Sequence, residues 1–196
     1  MNANTITIGE CRLSYVHVFK PYSSMPGQDA KFSLVALLPK SNVKAKAQID
    51  AAIEAAKQIG LQGKWNGAAP AVVGTTVHDG DGVKSNGEAY GEECKGHWVI
   101  NCNANPDHPP RVVDAQLQPI INESEIYSGI YGWININFYP YLFTGKKGIG
   151  CGLNHVMKSR DGQPLGGSAP SVEDAFAGLG APAAPAVDPI TGLPMA

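Results

Sequence analysis

Apolar and polar residues alternate from position 11 to 20: Leu13, Tyr15, His17 and Phe19 fall on one face, Arg12, Ser14, Val16, Val18 and Lys20 on the other. A period of two predicts a β-strand. Pro21 and the stretch Ser23-Ser24-Met25-Pro26-Gly27 predict a loop, since Pro fixes φ and Gly admits turn conformations. A second strand is expected over 31–38, stopped by Pro39. The pattern then changes period. Val43, Ala47, Ile49, Ala52, Ile53, Ala56 and Ile59 recur at helical spacing, Ser41 or Asn42 can cap, and Gly60 is the expected end. Lys44, Lys46 and Lys57 give this helix a basic outer face.

Residues 61–96 are Gly-rich, with Trp65, a short apolar run at 71–73 and an acidic loop from His78 to Glu93. Strand character returns over 97–103. Pro106, Pro109 and Pro110 punctuate a turn, and 111–114 reads as a short extended piece. The strongest strand signal is 128–141, with Ile130, Ile134 and Ile136 among Tyr131, Trp133, Phe138 and Tyr139. Tyr131 and Trp133 should share one face and Phe138 the other. Gly145-Lys146-Lys147-Gly148 reads as a turn, and 149–158 as the last strand. Beyond Arg160 the chain is dense in Gly, Pro and Ala, with too little apolar surface to offset ordering entropy. The expectation is a β-rich α+β protein: an OB-fold-like small barrel with one main helix over 1–160, and a disordered acidic tail over 161–196.

A chain of 196 residues fits one such domain. No run of 18 apolar residues is present, so no membrane span is expected. Met1-Asn2-Ala3-Asn4 lacks a basic region followed by an apolar core, which points to the cytoplasm. The four cysteines, at 11, 94, 102 and 151, form no CxxC pair and are expected as free thiols. Cys94 with His97 lacks a second ligand pair, so no zinc site is expected.

The net charge of −2 hides a segmentation. Residues 1–70 hold eight Lys/Arg against four Asp/Glu, 71–125 three against nine, 126–160 four against none, and 161–196 none against four. Local basic faces, not the sum, decide whether a polyanion is attracted.

Several kinds of chemistry can be weighed against the residues. Asp79-Gly80-Asp81-Gly82 invites a cation, but an EF-hand needs an oxygen ligand at its fifth position and Glu at its twelfth. Val83 and Tyr90 stand there. A metal-dependent nuclease using Asp79 and Asp81 remains an alternative, as does a structural or adaptor protein. The histidines at 17, 78, 97, 108 and 155 form no HExxH or Ser-His-Asp arrangement, and no GxxxxGK[ST] loop occurs. No catalytic residue, cofactor or metal is expected. More suggestive are seven aromatics between 127 and 143, interleaved with Asn135 and Asn137 and followed by Lys146 and Lys147. Bases stack on aromatic faces for roughly 1–3 kcal/mol each while cations track phosphates.

The wording of the chain also carries a resemblance. Arg12-Leu13-Ser14-Tyr15 with Phe19 leads into Lys31-Phe32-Ser33 and Leu37-Leu38-Pro39-Lys40-Ser41. Lys64-Trp65, Asp79-Gly80-Asp81, Val113-Asp114, Ile126-Tyr127-Ser128-Gly129, Asn137-Phe138-Tyr139, Lys147-Gly148-Ile149 and Arg160-Asp161-Gly162-Gln163-Pro164-Leu165-Gly166-Gly167 follow in order. This ordered set resembles a phage family of single-stranded DNA-binding proteins with an OB-fold. The resemblance implies single-stranded DNA as partner, action in replication, recombination or repair, a host-cell cytoplasmic location and no catalytic residues. Such proteins end in a short acidic tail closed by an aromatic. Glu173-Asp174-Ala175-Phe176 fits, but twenty residues follow it. Glu173, Asp174 and Phe176 are therefore candidates for docking replication or recombination proteins. The stacking candidates read from strand position are Tyr15, Phe19, Trp65, Tyr131 and Trp133. The phosphate candidates are Arg12, Lys20, Lys31, Lys146, Lys147 and Lys158.

Overall fold

The computed structural model describes residues 2–23 and 25–166. Seven strands and one helix follow the chain: β1 (Thr5–Tyr22), β2 (Lys31–Pro39), α1 (Val43–Gln62), β3 (Val77–Asp79), β4 (His97–Ala104), β5 (Arg111–Val113), β6 (Tyr131–Phe143) and β7 (Lys146–Arg160). Single 3-10 turns lie at Glu92–Cys94 and Glu123–Glu125.

Five strands close a barrel. β1 pairs antiparallel with β2 and with β6, β2 with β4, and β6 with β7. A parallel bridge between Asn103 on β4 and Gly152 on β7 completes the ring. β3 extends it alongside β4, and β5 runs parallel to β7. This is the β-rich, OB-like barrel with one helix that the strand pattern predicts. Its interior is filled by alternate residues of each strand: Ile8, Leu34, Leu38, Ile100, Ile134, Ile136, Phe138, Leu153 and Val156 are all buried.

β1 is longer than its alternation suggests, and it is broken. Register with β2 shifts between Ser14 and His17, and Tyr15 sits at φ +48°. A bulge of this kind reverses which residues point inward. Leu13 and Val18, on opposite faces of a regular strand, are therefore both buried, while Tyr15 is 65% exposed. The expectation that Leu13 and Tyr15 share a face fails at this bulge.

Asn42 caps α1: its Oδ1 accepts the Ala45 N–H at 3.1 Å, while its Nδ2 donates to the Gly9 carbonyl at 3.0 Å. Ala45, Ile49, Ala52, Ile53 and Ala56 face the core. Gly60 does not end the helix, as its residue type suggests. It lies one turn inside, where a Cβ would come within 2.8 Å of the Trp65 ring and 2.9 Å of Pro140. The helix needs Gly there to approach β6, and Gly63 is its C-cap.

The two hairpin lysines belong to a strand, not to a turn: Lys146 pairs with Phe143 and Lys147 with Leu142, leaving Thr144 and Gly145 as the turn. β3 was invisible in the acidic loop, because three residues carry no period. The chain stays bonded to the barrel beyond Arg160. Leu165 N–H donates to the Ser128 carbonyl at 2.7 Å, and the Gln163 carbonyl accepts from Arg12 Nη2 at 2.7 Å. The chain divides into units 1–165 and 166–196. Of the disordered tail expected over 161–196, residues 167–196, with Glu173, Asp174 and Phe176, lie outside the described residues.

Candidate nucleic-acid interface

β6 alternates strictly. Ile134, Ile136 and Phe138 point into the barrel, and Tyr131, Trp133, Asn135, Asn137, Tyr139, Tyr141 and Phe143 point out. The outward rings would be unremarkable without their neighbours. Tyr139 pairs with Gly150 and Tyr141 with Gly148 on β7, and Asn137 pairs with Gly152. A Cβ on Gly150 would lie 2.5 Å from Tyr139 Cζ, and one on Gly148 would lie 2.5 Å from Tyr141 Oη. On the other side, a Cβ on Gly9 would lie 2.6 Å from Trp133 Cδ2. Each ring therefore lies against a backbone that has no side chain, covering it with one face and turning the other outward. Trp133, Tyr139 and Tyr141 keep 39%, 37% and 36% of their surface exposed. Burial of its hydroxyl end pushes the Tyr139 pKa above the ordinary tyrosine value, so the phenol stays neutral.

Asparagines fill the gaps between the rings. Asn135 Nδ2 donates to Thr7 Oγ1 at 2.8 Å, and Asn154 Nδ2 donates to Asn135 Oδ1 at 2.9 Å. These amides stitch β1, β6 and β7 together across the outer face. Above them lies a polar cleft of about 720 Å³ between this face and residues 105–111, with His108, Arg111 and His155 on its walls. A smaller apolar cleft of about 370 Å³, beside Trp133, shares Arg111, Asn135 and His155 with it. A third, of about 740 Å³, lies over β2 and β4 between Tyr15, His78 and Tyr90. Asn101 lines the third cleft and Asn103 the first, two residues apart on one face of β4. The three form a band around the outside of the barrel. It includes the face over the second and third barrel strands, where OB-folds take oligonucleotides.

Ion pairing decides which cations are available. Eight of the 15 Lys and Arg residues have carboxylate partners. Among the described residues this leaves Arg12, Lys31, Lys44, Lys64, Arg111, Lys146 and Lys147 without one. Lys31, Arg111 and Lys146 are exposed. Lys147 holds the segment after the helix by donating to the carbonyls of Trp65 at 3.0 Å and Ala68 at 2.6 Å. Lys158 is spent inside the fold: its Nζ contacts Asp161 Oδ1 at 2.7 Å and the Glu125 carbonyl at 2.9 Å, and its side chain is 15% exposed. Lys20 pairs with Glu123 at 3.0 Å, but both side chains are open to solvent, where such a pair exchanges readily.

The stacking candidates also divide. Tyr15 and Trp133 are exposed, and Phe19 is half-buried against the core. Trp65 cannot stack on a base. It is 1% exposed and donates its indole N–H to the Tyr141 carbonyl at 3.0 Å. Tyr131 is already stacked: the Arg160 guanidinium lies 3.5 Å from its ring centroid, and a Cβ on Gly162 would meet the ring at 2.8 Å. Arg160 is in turn fixed by Glu10 at 2.8 Å. Its hydrogen bond to Glu10, with a second from Ser159, holds that carboxyl below the usual range. Sequence reasoning missed Arg111, Tyr139, Tyr141, His108 and His155. A signal for the tyrosines was present, as Gly148, Gly150 and Gly152 alternate opposite them.

Asp79 and Asp81, the nuclease candidates, are both held by Lys40, the latter at 2.6 Å. Asp79 Oδ1 also accepts the Asp81 N–H at 2.8 Å, and Asp81 Oδ1 accepts the Gly96 N–H at 2.8 Å. Lys40 first, and these N–H groups next, hold both carboxyls below their ordinary values. The pair thus ties the end of β3 to the loop before β4. Among the described residues, no group of three or more His, Cys, Asp or Glu side chains is disposed to hold a metal ion. No described helix is long and apolar enough to cross a membrane.

The family profile described as Enterobacter phage Enc34, ssDNA-binding protein, matches residues 4–184. The chain belongs to the Enc34 ssDNA-binding protein family. The single-stranded DNA-binding protein from bacteriophage Enc34, solved in complex with ssDNA, is similar at 28% identity and a TM-score of 0.71, covering 84% of this chain and 90% of that one. A second structure of that protein matches at 27% identity and a TM-score of 0.67, over 89% and 90%. The fold is shared with gp2.5, a single-stranded DNA-binding protein encoded by bacteriophage T7, at 12% identity and a TM-score of 0.58, over 88% and 99%. No curated protein matches the chain.

Proposed function

We propose that this member of the Enc34 family binds single-stranded DNA without chemically altering it, and protects and organises the strand in phage replication, recombination or repair within the host cytoplasm. The observation that carries this reading is the row of rings laid on glycines along β6, open on one face, beside unpaired cations and on a barrel of OB type. Base–ring stacking is tolerant of sequence because every base has a π face. Trp133, Tyr139 and Tyr141 take the stacking role, with Tyr15 and Phe19 on the β2–β4 side. Arg12, Lys31, Arg111 and Lys146 take the phosphates, and Lys20 joins them by exchanging Glu123 for a phosphate. Domain 1–165 is the binding unit. The acidic-aromatic segment around Glu173, Asp174 and Phe176 is proposed as the contact for replication or recombination proteins.

The test is a fluorescence titration of labelled oligo-dT, run with and without magnesium. Saturable, salt-sensitive binding with the oligonucleotide recovered at full length is the expected result. No affinity for oligo-dT would refute the reading, and shortening of the DNA with magnesium that Asp79→Ala abolishes would favour a nuclease.

A further inference from the structure

The apolar cleft beside Trp133 differs in chemistry from the rest of the band. Its floor spans four strands, from Thr7 on β1 through Trp133 on β6 and Met157 on β7 to Val113 on β5. At about 370 Å³ it sits at the small end of ligand clefts, the scale of one planar ring system rather than a run of nucleotides. Trp133 lies on Gly9 with its other face open. At the mouth stands Leu117, 69% exposed and held at φ +61° in the left-handed region that non-glycine residues avoid. Asp114 fixes that turn, its Oδ1 accepting the N–H groups of Gln116 and Gln118 at 2.8 Å each. An exposed leucine in strained backbone invites a functional explanation. Arg111, free of any carboxylate partner among the described residues, stands on the rim shared with the polar cleft.

We propose that this cleft seats a single nucleobase of the bound strand, stacked on Trp133 and walled by Leu117 and Met157, with Arg111 on an adjoining phosphate. The inference rests on the single-stranded DNA reading and deepens it. The cleft adjoins the polar cleft, sharing Arg111, Asn135 and His155 with it, so a strand lying along that cleft brings a base to this one. Stacking on Trp133 holds the base by its face; Asn135, the one amide in the lining, already has one N–H committed to Thr7 and one oxygen lone pair to Asn154.

Oligo-dT carrying 5-iododeoxyuridine, irradiated in complex with the full chain and mapped by mass spectrometry, should cross-link to the peptide containing Trp133. Trp133→Ala should weaken oligo-dT binding by about 5-fold to 160-fold, the range of one lost base–ring stack, and Trp133→Phe should recover most of it. Leu117→Gly separates binding from folding. Glycine suits φ +61°, so the thermal midpoint should hold or rise while affinity falls. Cross-links confined to other rings, with Trp133→Ala and Leu117→Gly binding like wild type, would overturn the base seat and leave DNA binding standing. A concentration-dependent dimer that Trp133→Ala dissociates, with DNA affinity unchanged, would assign the cleft to a second copy and also overturn it. Failure of the wild-type chain to bind oligo-dT would instead strike the underlying reading, and the seat with it.

Discussion

Arg111→Ala isolates one phosphate contact and lets its size be worked from the ion-pair inventory. Arg111 is exposed on β5, has no carboxylate partner among the described residues, and borders two of the three clefts. Its loss removes a cation without orphaning an acid or opening the core. For single strands, each neutralised phosphate contributes about −0.7 to the slope of log K against log salt. Seven cations lack carboxylate partners among the described residues and Lys20 joins them by exchange, so the wild-type slope should be no steeper than about −5.6. Arg111→Ala should make it shallower by about 0.7. Between 50 and 200 mM salt, the affinity gap between wild type and variant should therefore shrink by about 2.6-fold.

Anisotropy titrations of labelled oligo-dT at three or four salt concentrations measure both slopes directly. Lys95→Ala is the matched control, since Lys95 pairs with Glu92 at 2.6 Å and borders none of the clefts described above. It should leave the slope unchanged. Parallel lines for wild type and Arg111→Ala would refute the placement of DNA on this face. A wild-type slope much steeper than about −5.6 would refute the assumption that the paired cations other than Lys20 keep their carboxylates when DNA arrives.

Three further outcomes follow from the packing. Trp65→Ala should cost about 3–5 kcal/mol in urea denaturation, as buried Trp truncations do, while the molecules that remain folded bind oligo-dT normally; a loss of affinity without a loss of stability would restore Trp65 as a stacking residue. Gly150→Ala should push the Tyr139 ring off β7, costing about 1–3 kcal/mol and lowering DNA affinity in step with Tyr139→Ala; unchanged affinity in both variants would remove Tyr139 from the interface. Glu10 is held below its ordinary pKa of 4.5 by Arg160 and Ser159, so its contribution to stability is present above that pH and lost as pH falls below it. Thermal melts of Glu10→Gln should therefore lie below wild type near pH 6, and the gap should close as pH falls from 4.5 through the lowered folded-state pKa; a constant gap would show that the Glu10 charge is not what matters.

The barrel was legible because its long elements keep one period over many residues. β2, β4, β6 and α1 each bury a regular face, and their expected spans agree with the structure within a few residues. What escaped was set by contacts distant in sequence. Gly60 looks like a helix terminus from its type, and only the approach of Trp65 and Pro140 makes it an interior residue. Trp65, alone in a Gly-rich stretch, offers no pattern to say whether it is covered. The same limit applies to charge. Lys146 and Lys158 are equivalent in a sequence, yet Lys146 is exposed and Lys158 is bound to Asp161 and Glu125. The bulge at Tyr15 hides behind unbroken alternation, and it turns a residue expected beside buried Leu13 outward to the solvent.

The aromatic strand could be divided into core and surface only by reading two strands together. Alone, the odd residues of β6 include rings that any barrel would be expected to bury. Opposite them, β7 would be a poor strand, since Gly148, Gly150 and Gly152 lack side chains to pack and carry an entropic cost. Paired, each defect answers the other. The tyrosine rings cover the bare backbone and so gain burial on one face, while the glycines keep the rings low and flat against the sheet. A ring held this way loses little further freedom when a base lands on it, which favours stacking over a side chain free to rotate. Asn135, between the rings, is fixed within the fold by one N–H donated to Thr7 and one oxygen lone pair taken by Asn154. Rings presented by face can stack on any base, because every base has a π face. That is the chemistry required of a protein that must coat whatever single strand is exposed.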